Sequence, residues 1–558
     1  MSIADLCVSG EDKLKRTFLL PKKILWSGDG VQDREVLLET KLQQIYASVP
    51  KVTKLSTEGG KRGAILLDFG SELVGSLELL VNKASNLKGV RLKIRFGESV
   101  SEAMTPIDEK NATNDHATRD MTVLVTRWSQ QNFGYTGYRF VYIELEDEDA
   151  WVDLAGVRGI LTVRDIPYLG TFECDNKKLE QIYQVSAYTV YLCMQNMLWD
   201  GVKRDRLVWI GDTHPEMLAI RSVFGGNEIV DEALKFIPQT NPLPQTPNKH
   251  TTYGYWYLMI LWDWYWYTGN LELVMELKRY WKGLTEELLN LFHDNQDEQL
   301  NEEEFVCGFF VDWPTKGTEE AKAGVYALFR MALLAAAKLS ELADESELQK
   351  RCKKVAELIL DKKMPHNNRK QIVALLQLAD MVDHDEAGRL LTAGGGNGMS
   401  TFMSYYILSA VANTADVDVA LQMLEEYYGA MLDAGATTFW EDFDLEWARD
   451  GARIDTLLSQ DGYDIHGDNG RFCYQGMRHS LCHGWSAGPA AFLPEQILGI
   501  QILAPGCKKL SVKPKLGKLT WARGTYPTPY GIVTVKTWKE QEEVRIDISA
   551  PKEIEIIK

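Results

Sequence analysis

The spacing of apolar residues changes twice along this chain, and that change limits the fold more than any other feature. From about residue 15 to 165, short runs such as Gly63–Phe69, Gly75–Val81, Val90–Phe96, Met121–Arg127 and Tyr138–Glu146 alternate or are β-branched. Gly, Asn and Asp clusters separate them, a pattern that predicts a β-sandwich. From Asp175 to Leu498 the apolar residues recur at three and four. Lys178–Leu198, Leu271–Phe292, Ala321–Leu342, Ser346–Lys362, Arg369–Leu378 and Asp416–Leu432 read as helices. About 320 residues of consecutive helices exceed a simple bundle, and no fixed repeat marks a solenoid. A toroid of paired helices buries that much surface and gathers its loops into a pocket at one end. After Ile500 the alternation returns, at Leu510–Val512, Leu519–Ala522, Ile532–Trp538 and Glu543–Ile548. The expected organisation is a β-domain over 1–167, an α-helical toroid over 168–498 and a small β-domain over 499–558.

The formal net charge is −18, from 79 acidic and 61 basic side chains, which argues against nucleic acid or an anionic membrane as a partner. A neutral small molecule fits better. No basic segment followed by a long apolar run opens the chain, and the apolar stretch Thr251–Thr268 is interrupted by Asp263. The eight cysteines form no Cys-x-x-Cys pair, and the nine histidines show no zinc-ligand spacing. A cytoplasmic protein with free thiols is expected, and a homodimer is compatible with all of this.

Chemistry concentrates at Asp200-Gly-Val-Lys-Arg204-Asp205-Arg206-Leu-Val-Trp209-Ile-Gly211-Asp212. Packing alone does not ask for three carboxylates, three cations and an indole in one short segment. A site that holds a hydroxylated ring and protonates one of its oxygens does. Hydrolysing a glycoside with inversion needs a second carboxylate, roughly 6.5–9.5 Å from the first, to activate water. Thr437-Thr-Phe-Trp440-Glu441-Asp442-Phe-Asp444 offers it. Blander readings exist for each: Asp212 precedes a capping box with Thr213 as N-cap and Glu216 three residues on. Arg204 and Arg206 could be a solvated pair neutralising Asp200 and Asp205, and Glu441 surface decoration. Aromatic density weighs on the other side, because eight of the sixteen tryptophans lie between 199 and 313. Phe310-Val-Asp312-Trp313 repeats the Asp-Trp pairing. His479 and His483 stand four apart, the spacing of one helix face, and without a carboxylate at ligand spacing they suit substrate contact or core better than metal.

The 200–216 stretch resembles the signature of the family 78 glycoside hydrolases, the inverting α-L-rhamnosidases. That signature runs Asp, an acidic residue and Arg five positions on, then Trp-x-Gly-Asp. Here these are Asp200, Asp205-Arg206 and Trp209-Ile-Gly211-Asp212. The resemblance extends to Thr437-Thr-Phe-Trp440-Glu441 and to His483-Gly484. It implies an (α/α)6 barrel between an N-terminal β-sandwich and a C-terminal β-domain, and catalysis with no metal or cofactor. By the same resemblance Asp205 is the general acid, where many members have Glu, and Glu441 the general base. Asp200, Arg204, Trp209, Asp212, Trp264, Asp312, Trp313, Trp440 and His483 contact the sugar. The substrate implied is a small rhamnoside with a terminal α-L-rhamnose, since many members carry further β-domains. The alternatives are another exo-glycosidase on the same barrel and a catalytically idle sugar-binding protein.

Overall fold

The computed structural model of the chain describes residues 12–558 except 40, 42–43, 50, 294–298, 460–461 and 542. The N-terminal residues read above for a leader lie outside the described residues. The chain divides into two compact units: residues 1–167, 191–206 and 455–457 form the first, and residues 168–190, 207–454 and 458–558 the second.

The first unit is built on one long strand. The runs Gly63–Phe69 and Gly75–Val81, read as two strands, are parts of a single strand over Ala64–Ala84 that continues through a bulge between Asp68 and Leu73. A bulge bends a strand without ending it, so a break in the alternation need not be a turn. In chain order the strands are β1 (Leu14–Leu19), β2 (Lys23–Ser27), β3 (Val31–Gln32), β4 (Thr53–Ser56), β5 (Ala64–Ala84), β6 (Val90–Gly97), β7 (Asp120–Val125), β8 (Ser129–Leu145) and β9 (Trp151–Arg164). They pair in the order β3-β4-β9-β5-β8-β6-β7, with β1 also on β9 and β2 on β5. β9 escaped the sequence reading because Gly156 and Gly159 interrupt its pattern. The close approach of β5 and β9 explains one glycine: a Cβ on Gly75 would stand 1.9 Å from the Ile160 carbonyl oxygen.

Leu67, Leu77, Leu79, Leu92, Ile94, Val141 and Val157 form the buried core of this sheet. Beside the bulge lies a buried ion pair. Asp68 accepts from the Gly70 amide at 2.7 Å, and its two oxygens take Nε and Nη2 of Arg139 at 2.9 and 3.1 Å. Asp455 lies 3.6 Å from the same guanidinium.

The second unit is helical, with strands at its C-terminal end, as the change in period predicts. Its helices, after the short α1 (Val36–Glu39) and α2 (Val100–Met104) of the first unit, begin with α3 (Lys177–Cys193), whose last three residues group with the first unit. Then come α4 (Thr213–Val223), α5 (Glu228–Thr240), α6 (Thr251–Thr268), α7 (Leu271–Glu276) and α8 (Lys278–Asn290). α9 (Ala321–Leu342), α10 (Ser346–Leu360), α11 (Lys370–Leu378), α12 (His384–Thr392), α13 (Ser404–Thr414), α14 (Val417–Asp433) and α15 (Pro489–Gln496) follow. Six of them close a ring: α4 packs on α6, α6 on α9, α9 on α11, α11 on α13, α13 on α15, and α15 back on α4. α8, α10, α12 and α14 pack against ring members as an outer layer, so the unit is a barrel of helices. α9 has the length and composition of a membrane-crossing helix, but 83% of its apolar window is buried among its neighbours.

The single helix expected over Leu271–Phe292 is broken at Leu277. The indole N–H of Trp281 donates to the Val274 carbonyl at 3.0 Å, taking the acceptor that an unbroken helix would offer to the Lys278 amide. In the C-terminal part, β10 (Thr171–Cys174) pairs with β11 (Trp521–Thr528) in the order β10-β11-β12-β13, with β12 Gly531–Glu540 and β13 Glu543–Ser549.

Removing one partner of a buried ion pair leaves an uncompensated charge, at a cost of about 3–5 kcal/mol. Asp68→Ala should therefore destabilise the first unit by about that amount in urea unfolding, because Arg139 and the Gly70 amide both lose their acceptor.

Candidate active site

The barrel gathers its polar residues where the ring helices begin. Asp212 immediately precedes α4 and His250 precedes α6. Asp312 and Trp313 lie in the loop before α9, Ser400 and Thr401 before α13, and His483 before α15. Glu441 lies in the loop between α14 and α15. Extended backbone pairing fixes its place: the Glu441 amide donates to the Ser480 carbonyl at 3.0 Å, and the His483 amide to the Phe439 carbonyl at 3.0 Å. The Glu441 carbonyl in turn accepts from Thr401 Oγ1 at 2.5 Å and Trp485 Nε1 at 2.9 Å. The side chain is 4% exposed, so it is not surface decoration. Its Oε1 accepts from Cys473 Sγ at 2.9 Å and its Oε2 from the Ser480 amide at 3.1 Å.

Asp442 has a different environment. Burial, then the charges of Glu441 and Asp312, push its carboxyl up to about 7. Its amide donates to His479 Nε2 at 3.0 Å, so that ring carries its neutral-form proton on Nδ1. Asp312 is also raised by burial, and hydrogen bonds from Thr315 and Ser400 oppose the rise. Ser400 Oγ stands 2.7 Å from Asp312 Oδ2.

Asp212 is not engaged in capping. Thr213 is the first residue of α4, and the Asp212 side chain makes no cap hydrogen bond. Its Oδ1 accepts from Tyr253 Oη at 2.9 Å, and Oδ2 lies 3.9 Å from His483 Nε2. The tyrosine reaches it because Gly211 has no side chain: a Cβ there would fall 2.4 Å from the Tyr253 ring. Tyr253 also brings the aromatic residues together. Trp209 meets its ring edge-on at 6.0 Å, Phe310 lies 6.2 Å away, and Phe310 meets Trp313 at 5.3 Å. His483 packs on Trp485 at 4.2 Å. The helix face expected for His479 and His483 does not form, because the chain between them pairs with the Glu441 segment. Gly484 abuts the buried Glu216, whose Oε1 would be 1.8 Å from an added Cβ.

Trp264 stands apart from this group. It is 1% exposed in α6, donates its indole N–H to Asp231 and stacks on Tyr267 at 5.7 Å. It is a core residue, and Tyr253 is the aromatic of α6 that joins Asp212. Trp440, also 1% exposed, packs edge-on against Phe443 and supports the Glu441 loop from within. Among the described residues of this unit, no three His, Cys, Asp or Glu side chains converge at metal-ligand distance.

The remaining signature residues belong to the first unit. α3 stops at Cys193, short of the expected Leu198, and the Cys193 carbonyl accepts from the Gln195 and Trp199 amides as the chain turns. Val202 pairs with the β8 backbone through the Gly137 amide, 2.9 Å from its carbonyl oxygen. Lys203 is buried between Glu98 Oε2 at 3.1 Å and Glu102 Oε1 at 3.2 Å. Beside them, burial and the charges of Glu98 and Glu102 hold the Glu72 carboxyl well above the usual range. Gly97-Glu98-Ser99 thus ends a strand and caps α2, with Ser99 Oγ accepting from the Glu102 amide. Asp200 and Arg204 are 5% and 4% exposed, which removes the solvated-pair reading. Arg206 donates to the Tyr135 and His116 carbonyls and lies 5.5 Å over Trp199. Asp205 is 16% exposed, and its Oδ1 stands 2.8 Å from His116 Nδ1.

Two expectations follow. Gly211→Ala should displace Tyr253 from Asp212 and destabilise the fold by about 1–3 kcal/mol, the usual effect of overpacking, read as a lower Tm. Asp442 carries the second. Its folded-state carboxyl titrates above that of the unfolded chain, so the folded state binds the extra proton between about pH 4 and 7. The stability this carboxyl contributes is present at low pH and is lost as pH rises through about 7. The Tm of Asp442→Asn relative to wild type should therefore become more favourable from pH 5 to pH 8.

Comparison with known proteins bears on the fold that carries these residues. Residues 167–374 match the six-hairpin glycosidase domain of bacterial alpha-L-rhamnosidases, and residues 499–556 match their C-terminal domain. An alpha-L-rhamnosidase of Alteromonas sp. (strain LOR) is 23% identical over 567 residues, covering 92% of this chain and 58% of that protein. The chain spans about half the length of the curated relatives it matches. A solved family 78 rhamnosidase of Bacillus sp. GL1 has a TM-score of 0.73 at 19% identity, over 94% of this chain and 55% of that one. A Klebsiella oxytoca rhamnosidase solved with rhamnose bound has a TM-score of 0.64 at 19% identity, over 86% and 96%. Over residues 167–374 and 499–556 the chain is thus similar to the six-hairpin and C-terminal domains of bacterial alpha-L-rhamnosidases, and its fold is that of the solved family 78 rhamnosidases.

Proposed function

We propose that this chain is an inverting α-L-rhamnosidase that removes terminal α-L-rhamnose from small rhamnosides in the cytoplasm, with neither metal nor organic cofactor. The observation that carries the reading is Glu441: a buried carboxylate, hydrogen-bonded at both oxygens, on the segment that resembles the family's general-base motif. The relatives named alpha-L-rhamnosidase support the choice of sugar. Seven free cysteines among the described residues are compatible with a reducing compartment.

In the proposed reaction Asp205 gives its proton to the glycosidic oxygen as the C1–O bond breaks. Glu441 takes a proton from a water whose oxygen bonds to C1 on the opposite face. The products are the free aglycone alcohol and rhamnose of inverted configuration, and solvent returns the proton from Glu441 to Asp205. Asp200, Arg204, Asp212, Asp312 and His483 hold the ring hydroxyls and offset charge at the oxocarbenium-like transition state. Trp209 and Trp313 pack on the ring and its methyl group.

Hydrolysis of p-nitrophenyl α-L-rhamnopyranoside tests this. Glu441→Gln and Asp205→Asn should each lower kcat by about 10²–10⁴. Proton NMR should show the β-anomer of rhamnose first, and a chelator should leave the rate unchanged. First release of the α-anomer would overturn inversion. Turnover of other aryl glycosides but not the rhamnoside would replace the sugar.

A further inference from the structure

The general acid proposed above is one methylene shorter than the Glu used by many family members, and the chain holds that shorter side chain with a residue outside the signature. His116 contacts both Asp205 and Arg206. Its carbonyl oxygen accepts from the Arg206 guanidinium, and its Nδ1 lies 2.8 Å from the Asp205 amide nitrogen and 2.8 Å from Asp205 Oδ1. The lone pair of Nδ1 takes the Asp205 amide proton, so the ring holds the backbone at Asp205 and stands against its carboxyl.

The loop carrying His116 is itself fastened at several points. Asn114 Oδ1 accepts from the Arg119 and Asp120 amides at 3.0 Å each, and its Nδ2 donates to the Asp120 carbonyl at 2.9 Å. Arg119, 2% exposed, ties the same loop to the Glu102 and Thr105 carbonyls at 3.1 and 2.7 Å. Asp205 and Arg206 have φ of +52° and +55°, a left-handed pair that non-glycine residues adopt only when their surroundings impose it. The clamp on both residues supplies that constraint.

We infer that His116 is a positioning residue for the general acid: it fixes the backbone turn at Asp205 and the rotation of its carboxyl, so that the shorter side chain delivers its proton to the leaving oxygen. The inference rests on the acid role proposed for Asp205. His116 neither gains nor loses a proton over the cycle. The proton leaves Asp205 for the glycosidic oxygen, and the bond that breaks is unchanged.

The test uses leaving groups of different acidity, because a good leaving group departs without acid assistance and a poor one does not. Rates for methyl α-L-rhamnoside and 2,4-dinitrophenyl α-L-rhamnoside are compared in wild type, His116→Ala and His116→Asn. Asn presents a hydrogen-bonding atom close to where Nδ1 stands. His116→Ala should lower kcat/KM on the methyl glycoside by about 10²-fold, within the range of acid catalysis, and on the dinitrophenyl glycoside by less than about 5-fold. His116→Asn should recover most of the loss on the methyl glycoside. Equal losses on both substrates would make His116 merely structural, and no loss on either would remove it; both overturn the inference. A wild type inactive on the dinitrophenyl rhamnoside would instead overturn the rhamnosidase reading, and this inference with it.

Discussion

Placing a carboxylate in a nearly water-free site is the constraint around which the helical unit is arranged. An ionised carboxyl that loses its water costs several kcal/mol unless other donors replace that water. Glu441 receives them from the Ser480 amide and the Cys473 thiol, and those donors arrive because the chain at 479–483 runs alongside 439–441. The same pairing sets His483 in the segment before α15, beside Asp212 at the start of α4. A ring of helices beginning at one end gives such loops a common meeting place, while helix packing supplies the stability that the loops cannot.

Asp212, Asp312, Glu441 and Asp442 are told apart by their donors rather than by burial, since all four are buried. Glu441 has a donor at each oxygen. Asp442, its chain neighbour, receives two backbone donors but faces Glu441 and Asp312, and it keeps its proton to about neutrality. Asp212 takes a tyrosine hydroxyl and lies near a histidine. Like charges placed this close cannot all ionise at no cost, and after burial the charge of Glu441 is what raises the Asp442 carboxyl.

The change in apolar period made the fold class legible, and helix ends near Ser346, Lys370 and Val417 were read within a residue or so. What escaped depended on contacts that periodicity does not encode. The break at Leu277 follows from one indole hydrogen bond of Trp281, and the continuity of β5 follows from a bulge. Around the site, carboxylate and tryptophan motifs pointed to Asp205, Asp212 and Glu441, because that mixture of residues has no packing rationale. The resemblance pointed to Trp264 on an aromatic helix, but the rotation of α6 brings Tyr253 to Asp212 and leaves Trp264 in the core. Gly211 carried a signal that could have been used: a glycine between two motif residues marks a place where something large comes close. Cys473, Ser480 and His116 left no such signal, since single polar residues in loops are common.

A shorter acid changes what the surrounding chain must do. Glutamate has an extra rotatable bond, so it can find a leaving oxygen by adjusting its own torsions. Aspartate leaves most of that adjustment to the backbone. In this chain the backbone at Asp205 and Arg206 is left-handed, a conformation costing about 1–3 kcal/mol per non-glycine residue. Arg206 helps to offset that cost by donating to two carbonyls and lying over Trp199. Lys203, between Glu98 and Glu102, anchors the preceding residues to the sheet of the first unit. The strain and its compensation therefore lie in the same unit. On this argument the N-terminal sheet takes part in setting the geometry of the acid proposed at Asp205, because the elements that hold this residue come from its strands and loops.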